Sequence, residues 1–132
     1  MEARAIVKYL KISPYKVRPV VNQVRGLPVE VALGRLAASP RKAARFVEKL
    51  ISSAVANLKA KGKVAENSIY IKAIHADEGP LSPPFKYRPR ARGMANRIRN
   101  RTSHITVVVT EAAEDKSVGR ESLPRTRKNK KS

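Results

Sequence analysis

The sequence predicts an α+β fold with a long basic arm. Three observations support this: three segments with apolar residues at helical spacing, three segments that alternate as strands do, and an acid-free basic stretch between the last two strands. The 132 residues suit one domain with appendages, and a hydrophobic content of 42% is enough for one modest core. With 5% aromatic residues and no tryptophan, that core must consist of Val, Ile, Leu and Ala.

Three segments have the alternation of strands. Residues 3–12 alternate loosely, residues 68–76 carry apolar side chains on one face, and residues 104–110 alternate strictly. Within each segment the alternation places the following residues on one face: Ala5, Val7 and Tyr9; Ile69, Ile71 and Ala73; and Ile105, Val107 and Val109. The face of the last segment continues backwards along the chain as Ser103, Arg101, Arg99 and Arg97. One strand is therefore expected to change its lining from apolar to basic as it leaves the folded body.

The first helix is predicted to begin at Ser13-Pro14, a capping residue followed by proline at the first helical position. Its apolar residues lie at helical spacing: Val17, Val20, Val21 and Val24. Gly26 is well placed to end it. Pro19 lies inside this helix, where its ring opposes the carbonyl four residues back, so a kink is expected. Residues 28–37 predict a second, short helix.

The third helix has the longest apolar pattern in the chain. It is predicted to start at a second cap-and-proline pair, Ser39-Pro40, and to close at Lys61-Gly62. One stripe of this helix is apolar: Ala43, Val47, Leu50, Ile51, Ala54 and Leu58. The stripe predicts that the helix packs on a sheet or on another helix.

The arm is the stretch from Gly79 to Ser103, which holds seven Arg or Lys residues, four Pro and no acid. It lacks the apolar area that would offset the entropy of ordering, and its charges repel, so we expect it to gain a defined shape only against a polyanion. About 12 residues per side at ~3.3 Å each would let it project roughly 40 Å. Its prolines remove ladder donors, so one limb is expected to be irregular, and Gly93 permits a tight turn.

The arm alternates arginines with aromatic residues. Arg88, Arg90 and Arg92 recur at every second residue, so in an extended chain they would project to one side. Their guanidinium groups suit phosphates and stacking on bases. Phe85 and Tyr87 interleave with them and could stack on unpaired bases. This pattern predicts a nucleic-acid-binding arm.

The net charge of the chain also favours binding to nucleic acid. Lys and Arg total 29 against 10 Asp and Glu, a formal net charge of +19 with a pI near 11.0. Such a surplus is usual where phosphates supply the counter-charge. No apolar run approaches the ~20 residues of a spanning helix, and the N-terminus lacks a signal-peptide pattern, so we expect no membrane partner and a cytosolic setting. Without cysteine there is no disulfide and no thiolate metal site or nucleophile.

The tail, residues 111–132, shows no apolar periodicity. From Lys116 to Ser132 it holds seven basic residues and one acid, so we expect it to be disordered in isolation. It is either a flexible solubilising end or a further RNA contact. Residues 1–110, with the arm at 79–103, are expected to form a single domain.

Two segments in order resemble the signature of the large-ribosomal-subunit protein twenty-two family, in its bacterial type. They are PRARG at residues 89–93 and RTSHITVVV at residues 101–109. Further similar segments are ISP at 12–14 with KVR at 16–18, the Ser53-Ala54 and Ala56-Asn57 pairs, and DEGP at 77–80. The resemblance covers residues 1–110, with matches in every predicted element.

The resemblance implies three helices packed on a three-stranded antiparallel sheet, with an extended hairpin. It implies a structural, non-enzymatic constituent of the large ribosomal subunit that binds its ribosomal RNA and joins early in assembly. The hairpin would line the nascent-peptide exit tunnel, with its tip near the constriction where macrolides bind. The implied partners are the large-subunit ribosomal RNA, neighbouring ribosomal proteins and the nascent peptide, with no cofactor and no homo-oligomer. The ribosome would be a bacterial cytoplasmic one or an organelle-encoded one.

The arm's chemistry and the resemblance together give two sets of site residues. RNA contact is predicted for Lys16, Arg18, Lys86, Arg88, Arg90, Arg92, Arg97, Arg99, Arg101, Ser103 and His104. The tunnel hairpin tip is predicted to comprise Phe85, Tyr87, Pro89, Ala91, Gly93 and Met94. The sequence departs from the family pattern in a longer segment at 81–88, which adds Pro83-Pro84, in Met94 where a basic residue is frequent, in Pro19, and in a longer tail.

Competing functions have weaker support. His75 and His104 could lie near each other if the flanking strands pair, but no carboxylate cluster or third ligand accompanies them, so we expect neither catalysis nor a metal. Asp77-Glu78 are expected to serve a turn and salt bridges, because adjacent strand residues point to opposite faces. The alternative function is a DNA-architectural protein with a minor-groove β-arm, which would require an apolar helical surface for dimerisation.

Overall fold

The computed structural model describes residues 1–62 and 64–111. Along the chain the elements are β1 (Glu2–Leu10), α1 (Pro14–Val24), α2 (Val29–Ala38), α3 (Lys42–Lys61), a 3₁₀ turn (Glu66–Ser68), β2 (Ile69–Glu78), β3 (Lys86–Pro89), a second 3₁₀ turn (Ala91–Gly93), β4 (Ala95–Ile98) and β5 (Ser103–Glu111). The α+β class and the three predicted helices are confirmed. Of the predicted tail, Glu111 belongs to β5 and the rest lies outside the described residues.

The last strand lies in the centre of the main sheet. The strand order is β1-β5-β2, and both outer strands run antiparallel to β5. Strands β3 and β4 form a separate two-stranded sheet, which is the distal part of the arm. The three helices contact the main sheet, and α3 contacts both β1 and β5. The arm therefore leaves the sheet from the outer strand β2 and returns into the central strand β5.

The core is aliphatic, as its composition predicts. Apart from Pro14, every buried apolar residue in the described part of the chain is Val, Ile, Leu or Ala. The predicted stripes of α1 and α3 are all buried, and Ile105, Val107 and Val109 are fully buried beneath the helices. Helical spacing therefore correctly predicted which residues of α1 and α3 pack in the core.

A β-bulge in β2 overturns one predicted core residue. Ile69 and Ile71 face the core as predicted, but the pairing with β5 shifts between Ile71 and Ala73. One extra residue moves every later side chain to the other face. Ala73 is consequently only half-buried, and Ile74 is fully buried in its place.

A second irregularity, in β1, overturns the predicted placement of Tyr9. The pairing with β5 shifts between Val7 and Leu10, and Tyr9 has a φ of 55°. Tyr9 was predicted on the same face as Val7, yet it is 63% exposed, whereas Leu10 is buried. The left-handed backbone at Tyr9 turns its side chain away from the core and brings Leu10 inward.

The helix boundaries differ from the prediction at the start of α3. Ser39 ends α2, where its N–H donates to the Leu36 carbonyl, and α3 begins only at Lys42. The residue before a proline is disfavoured in helical conformation, so Ser39 stays extended ahead of Pro40. Helix α1 starts at Pro14 as predicted and is a continuous helix through Pro19.

The outer edge of β2 is covered by the segment that includes α1 and the loop after it. The Arg25 guanidinium donates to the Ile74 carbonyl at 3.0 and 3.3 Å, and Arg18 Nε donates to the Ala76 carbonyl at 3.4 Å. The Ile71 N–H donates to the Leu27 carbonyl at 3.0 Å. These bonds occupy backbone groups that would otherwise be free to pair with another strand.

We predict that Ile51→Ala destabilises the body by about 2–5 kcal/mol, because Ile51 is fully buried and the substitution leaves a cavity. Ile98→Ala is the matched control. Ile98 lies in the arm and is 37% exposed, so the same change should cost less than about 0.5 kcal/mol. Urea unfolding followed by far-ultraviolet circular dichroism measures both. Equal losses in the two variants would contradict the assigned core.

An ion pair between Glu2 and Lys72 gives a pH-dependent prediction. The hydrogen bond and charge of Lys72 lower the pKa of the Glu2 carboxyl below its ordinary value of 4.5, and Glu2 raises the pKa of Lys72. The Glu2 contribution to stability is therefore present above pH 4.5 and is lost as the pH falls through the lowered pKa. Carboxyl NMR titration should show the Glu2 pKa rising in Lys72→Gln. Because both side chains are about half exposed, 1 M salt should bring the Glu2 pKa of the wild type closer to its ordinary value.

Candidate nucleic-acid interface

The arm is a hairpin whose limbs are joined along their length. Next to the sheet, the Gly79 N–H donates to the Thr102 carbonyl at 2.9 Å, and further out the Ser82 N–H donates to the Asn100 carbonyl at 2.8 Å. Beyond these, four antiparallel residue pairs join β3 to β4, from Lys86↔Ile98 to Pro89↔Ala95. The first limb is irregular up to residue 85, as its prolines predict.

The turn of the hairpin lies at Ala91–Gly93. The Arg90 N–H donates to the Met94 carbonyl at 2.7 Å, and both Arg92 and Gly93 have left-handed backbone, with φ of 60° and 67°. The tight turn predicted at Gly93 is confirmed. The turn also changes the predicted row of arginines: Arg88 lies in β3, whereas Arg92 lies in the turn itself, so no extended segment carries Arg88, Arg90 and Arg92 together.

The predicted strand that runs from an apolar to an arginine lining is interrupted. Arg97 lies in β4, β5 begins at Ser103, and Arg99 and Arg101 lie in the segment between the two strands. The opposite limb carries Pro80, Pro83 and Pro84 at this level and cannot supply a continuous row of N–H donors. The arginines of this segment are therefore presented by irregular backbone.

The distal arm is exposed on all sides. Every residue from Pro83 to Arg101 is exposed, including the aromatic Phe85 (50%) and Tyr87 (62%). The Arg97 guanidinium carbon lies 4.3 Å from the centroid of the Phe85 ring, which is within cation–π distance. Tyr87 is directly across the ladder from Arg97. One face of the hairpin thus combines aromatic rings with a guanidinium group, and both groups can stack on bases.

A basic cleft of about 1370 Å³ opens between the arm and the body. Its walls are the start of α1, the start of α3, and the segments of both arm limbs nearest the sheet. Eight basic residues line it, and none of the described residues that line it is acidic: Lys11, Lys16, Arg18, Arg41, Lys42, Lys86, Arg99 and Arg101. The structure therefore brings together five predicted RNA-contacting residues and three that were not predicted.

The electrostatics of the cleft suit a polyanion. The first turns of α1 and α3 contain no acidic residue, and neither helix start has a side-chain cap. Helix N-termini carry partial positive charge, so cationic side chains at these positions add to the potential instead of balancing it. The concentration of like charge costs stability until phosphates supply the counter-charge.

Two of the predicted arginines have protein partners. Arg101 forms an ion pair with Glu78, so an acid from the end of β2 lies beside one of the predicted arginines although the arm itself contains no acid. The salt-bridge role predicted for Glu78 is confirmed by the same contact. Arg18 uses its Nε for the Ala76 carbonyl. Both side chains remain exposed on the cleft wall.

Two other predicted RNA-contacting residues are partly or wholly withdrawn from the surface. Ser103 is fully buried, and its hydroxyl has no hydrogen-bond partner among the described residues. His104 is half-buried, and its Nδ1 accepts the Tyr9 N–H at 3.0 Å. His75 lies on the neighbouring strand, two residues from Asp77, which is the residue that pairs with His104. The described residues contain no group of His, Cys, Asp and Glu that could hold a metal ion, and no helix among them could cross a membrane.

Sequence reasoning missed several cleft residues. Tyr15 is 82% exposed at the start of α1 and lines the cleft beside Lys11 and Lys16. Arg41 lines it from the start of α3. The only signal was their position beside the two cap-and-proline pairs. Nothing in the sequence showed that these two helix starts lie together.

The fold and the interface together define a small α+β domain that carries an exposed basic hairpin and a basic cleft for a polyanion. Comparison with known proteins narrows this class. The family described as Ribosomal protein L22p/L17e matches residues 5–110, and the chain belongs to that family. Its proteins are structural components of the ribosome rather than enzymes.

Similar proteins come from several bacteria. The large ribosomal subunit protein uL22 of Chloroflexus aggregans is 50% identical over 114 residues, which cover 86% of this chain and 99% of the relative. The uL22 of a Roseiflexus species is 50% identical over 115 residues, with the same coverage. That of Syntrophotalea carbinolica is 49% identical over 111 residues, covering 84% and 99%.

Proposed function

We propose that the protein is a structural constituent of the large ribosomal subunit that binds the subunit's ribosomal RNA. The observation that carries this proposal is the basic cleft, because its eight cationic side chains come from the body and from both limbs of the arm. Family membership and the names of the relatives support the same role. The protein would act in the bacterial cytoplasm as one copy within the particle.

Its RNA contacts would be of two kinds. In the cleft, the lysines and arginines would neutralise backbone phosphates and hold the RNA between the arm and the body. Along the distal arm, Arg88, Arg90 and Arg97 would contact phosphates or bases, and the exposed ring of Tyr87 would stack on unpaired bases. The family resemblance supports early entry into subunit assembly, where such contacts would hold separate RNA segments together.

The tip of the arm would line the nascent-peptide exit tunnel. The residues at and beside the turn are exposed and mix small, apolar and cationic side chains: Pro89, Ala91, Arg92, Gly93 and Met94. Such a surface can border a passing peptide while the limbs behind it contact RNA. The further partners of the protein would be neighbouring ribosomal proteins and the nascent peptide.

Fractionation of a lysate on a sucrose gradient at moderate magnesium tests the proposed assembly. We expect the protein to migrate with large subunits and to leave them only at high salt, because phosphate contacts are salt-sensitive. Migration as free protein would overturn the proposal. Migration with nucleoid DNA would instead favour a DNA-architectural protein.

A matched pair of lysines on α3 tests the cleft. Lys42 lines the cleft, whereas the exposed Lys49 of the same helix is not part of its lining. Lys42→Gln should reduce the slope of log K against log salt for transcribed large-subunit RNA by about 0.7–0.9, the value for one lost phosphate contact. Lys49→Gln should leave the slope unchanged. Equal changes in both variants would show that only the overall charge matters.

A further inference from the structure

A cluster of four residues joins the arm to the body. It consists of Tyr9, Gly79, Thr102 and His104, and we call it the latch. We propose that the latch sets the direction of the arm before any RNA is bound, whereas composition alone predicted that the arm gains a defined shape only against a polyanion. The latch members are therefore positioning residues for the contacts of the distal arm. This inference rests on the proposed RNA-binding function.

The first part of the latch holds the two limbs together. The Gly79 N–H donates to the Thr102 carbonyl at 2.9 Å, and the Thr102 hydroxyl donates to the Pro80 carbonyl at 2.5 Å. Thr102 is 4% exposed, so water competes little for these bonds. Each limb is thereby fixed to the other at the point where it leaves the sheet.

The second part is the close approach that Gly79 allows. A Cβ at this position would lie less than 3.0 Å from the Thr102 hydroxyl oxygen, and 3.1 and 3.3 Å from two atoms of the His104 ring. Real Cβ atoms essentially never lie within 3.0 Å of a neighbour, and 3.1 and 3.3 Å are unusually close, so any larger residue would force Thr102, His104 or the limbs themselves to shift. The backbone of Gly79 is not left-handed, so the requirement for glycine here is one of space.

The third part ties the limbs to β1. His104 Nδ1 accepts the Tyr9 N–H, and the two rings meet edge to face with centroids 5.0 Å apart and an angle of 89°. Tyr9 adopts a left-handed backbone that residues other than glycine rarely occupy. Such a conformation persists only where surrounding contacts hold it, and the pairing with His104 is such a contact.

Apart from the backbone bond between Ser82 and Asn100 and the exposed ion pair between Arg101 and Glu78, the direction of the arm depends on this cluster. Every residue from Pro83 to Arg101 is exposed, so packing against the body does not orient the distal hairpin. For an arm of roughly 40 Å, a tilt of about 10° moves the tip by roughly 7 Å. A shift of that size separates a guanidinium from a phosphate that it contacts at about 3 Å. A small change in the latch would therefore be amplified at the tip.

Thr102 offers a matched pair of variants. Thr102→Val keeps the shape of the side chain but removes the hydroxyl that bonds Pro80, whereas Thr102→Ser keeps the hydroxyl. Gly79→Ala adds the excluded Cβ and serves as an independent second variant. The chain has no cysteine, so spin labels at Lys49→Cys in α3 and Ala95→Cys in β4 report the distance between body and arm in the full chain.

Two measurements on the full chain test the latch. Double electron–electron resonance gives the distance distribution between the labels without RNA. Titrations without the labels give the affinity for transcribed large-subunit RNA and for a short oligouridylate. We expect Thr102→Val and Gly79→Ala to shift or broaden the distribution and to weaken binding to the large-subunit RNA by about tenfold. Thr102→Ser should match the wild type, and affinity for the oligouridylate should change less than twofold in all variants.

The outcomes separate the two proposals. An unchanged distance distribution in both Thr102→Val and Gly79→Ala would overturn the latch, and so would loss of body folding in both, because the residues would then be ordinary core. A Thr102→Ser variant as defective as Thr102→Val would also overturn it. If the wild type binds large-subunit RNA no better than an unrelated RNA of equal length, the proposed function fails, while the distance measurement still decides the latch.

Discussion

The pairing of β5 with both of its neighbours is the constraint on which the rest of the structure depends. Its inward residues Ile105, Val107 and Val109 are fully buried under the helices, and its first residue adjoins the return limb of the arm. A central strand with one buried face has its register specified from both sides. The site at which the arm leaves the body therefore follows from core packing, although the arm itself contributes nothing to that core.

The fold places aliphatic and cationic side chains in different parts of the molecule. Aliphatic side chains fill the space between the helices and the sheet, while eight cationic side chains meet in one cleft. Glu2 forms an ion pair with Lys72, and Glu78 forms one with Arg101, which lines the cleft. Folding alone thus brings like charges together at a cost, and a bound polyanion removes that cost. Ligand binding and folding are thermodynamically coupled in such an arrangement, so occupancy of the cleft stabilises the body.

Much of the fold could be predicted from local pattern, and the failures have physical causes. Helical spacing located the buried faces of α1 and α3, and the proline-rich arm with its turn at Gly93 followed from backbone chemistry. Alternation failed after Ile71 and after Val7, because a bulge reverses the faces without leaving a mark in the sequence. The cleft could not be predicted, because its walls come from four segments that are separated in sequence. The burial of Ser103 was missed for a related reason: the strand-to-arm boundary depends on which residues of β2 pair with β5.

The placement of the aromatic residues has a spectroscopic consequence. The chain has no tryptophan, all four of its tyrosines are exposed, and its core is aliphatic. Tyrosine emission will consequently respond weakly when the interior melts, since no emitting ring leaves a buried site. The same emission will respond directly when a nucleobase quenches Tyr15 or Tyr87. In this molecule intrinsic fluorescence is therefore an indicator of surface occupancy, and it distinguishes a bound chain from a free one more readily than a folded chain from an unfolded one.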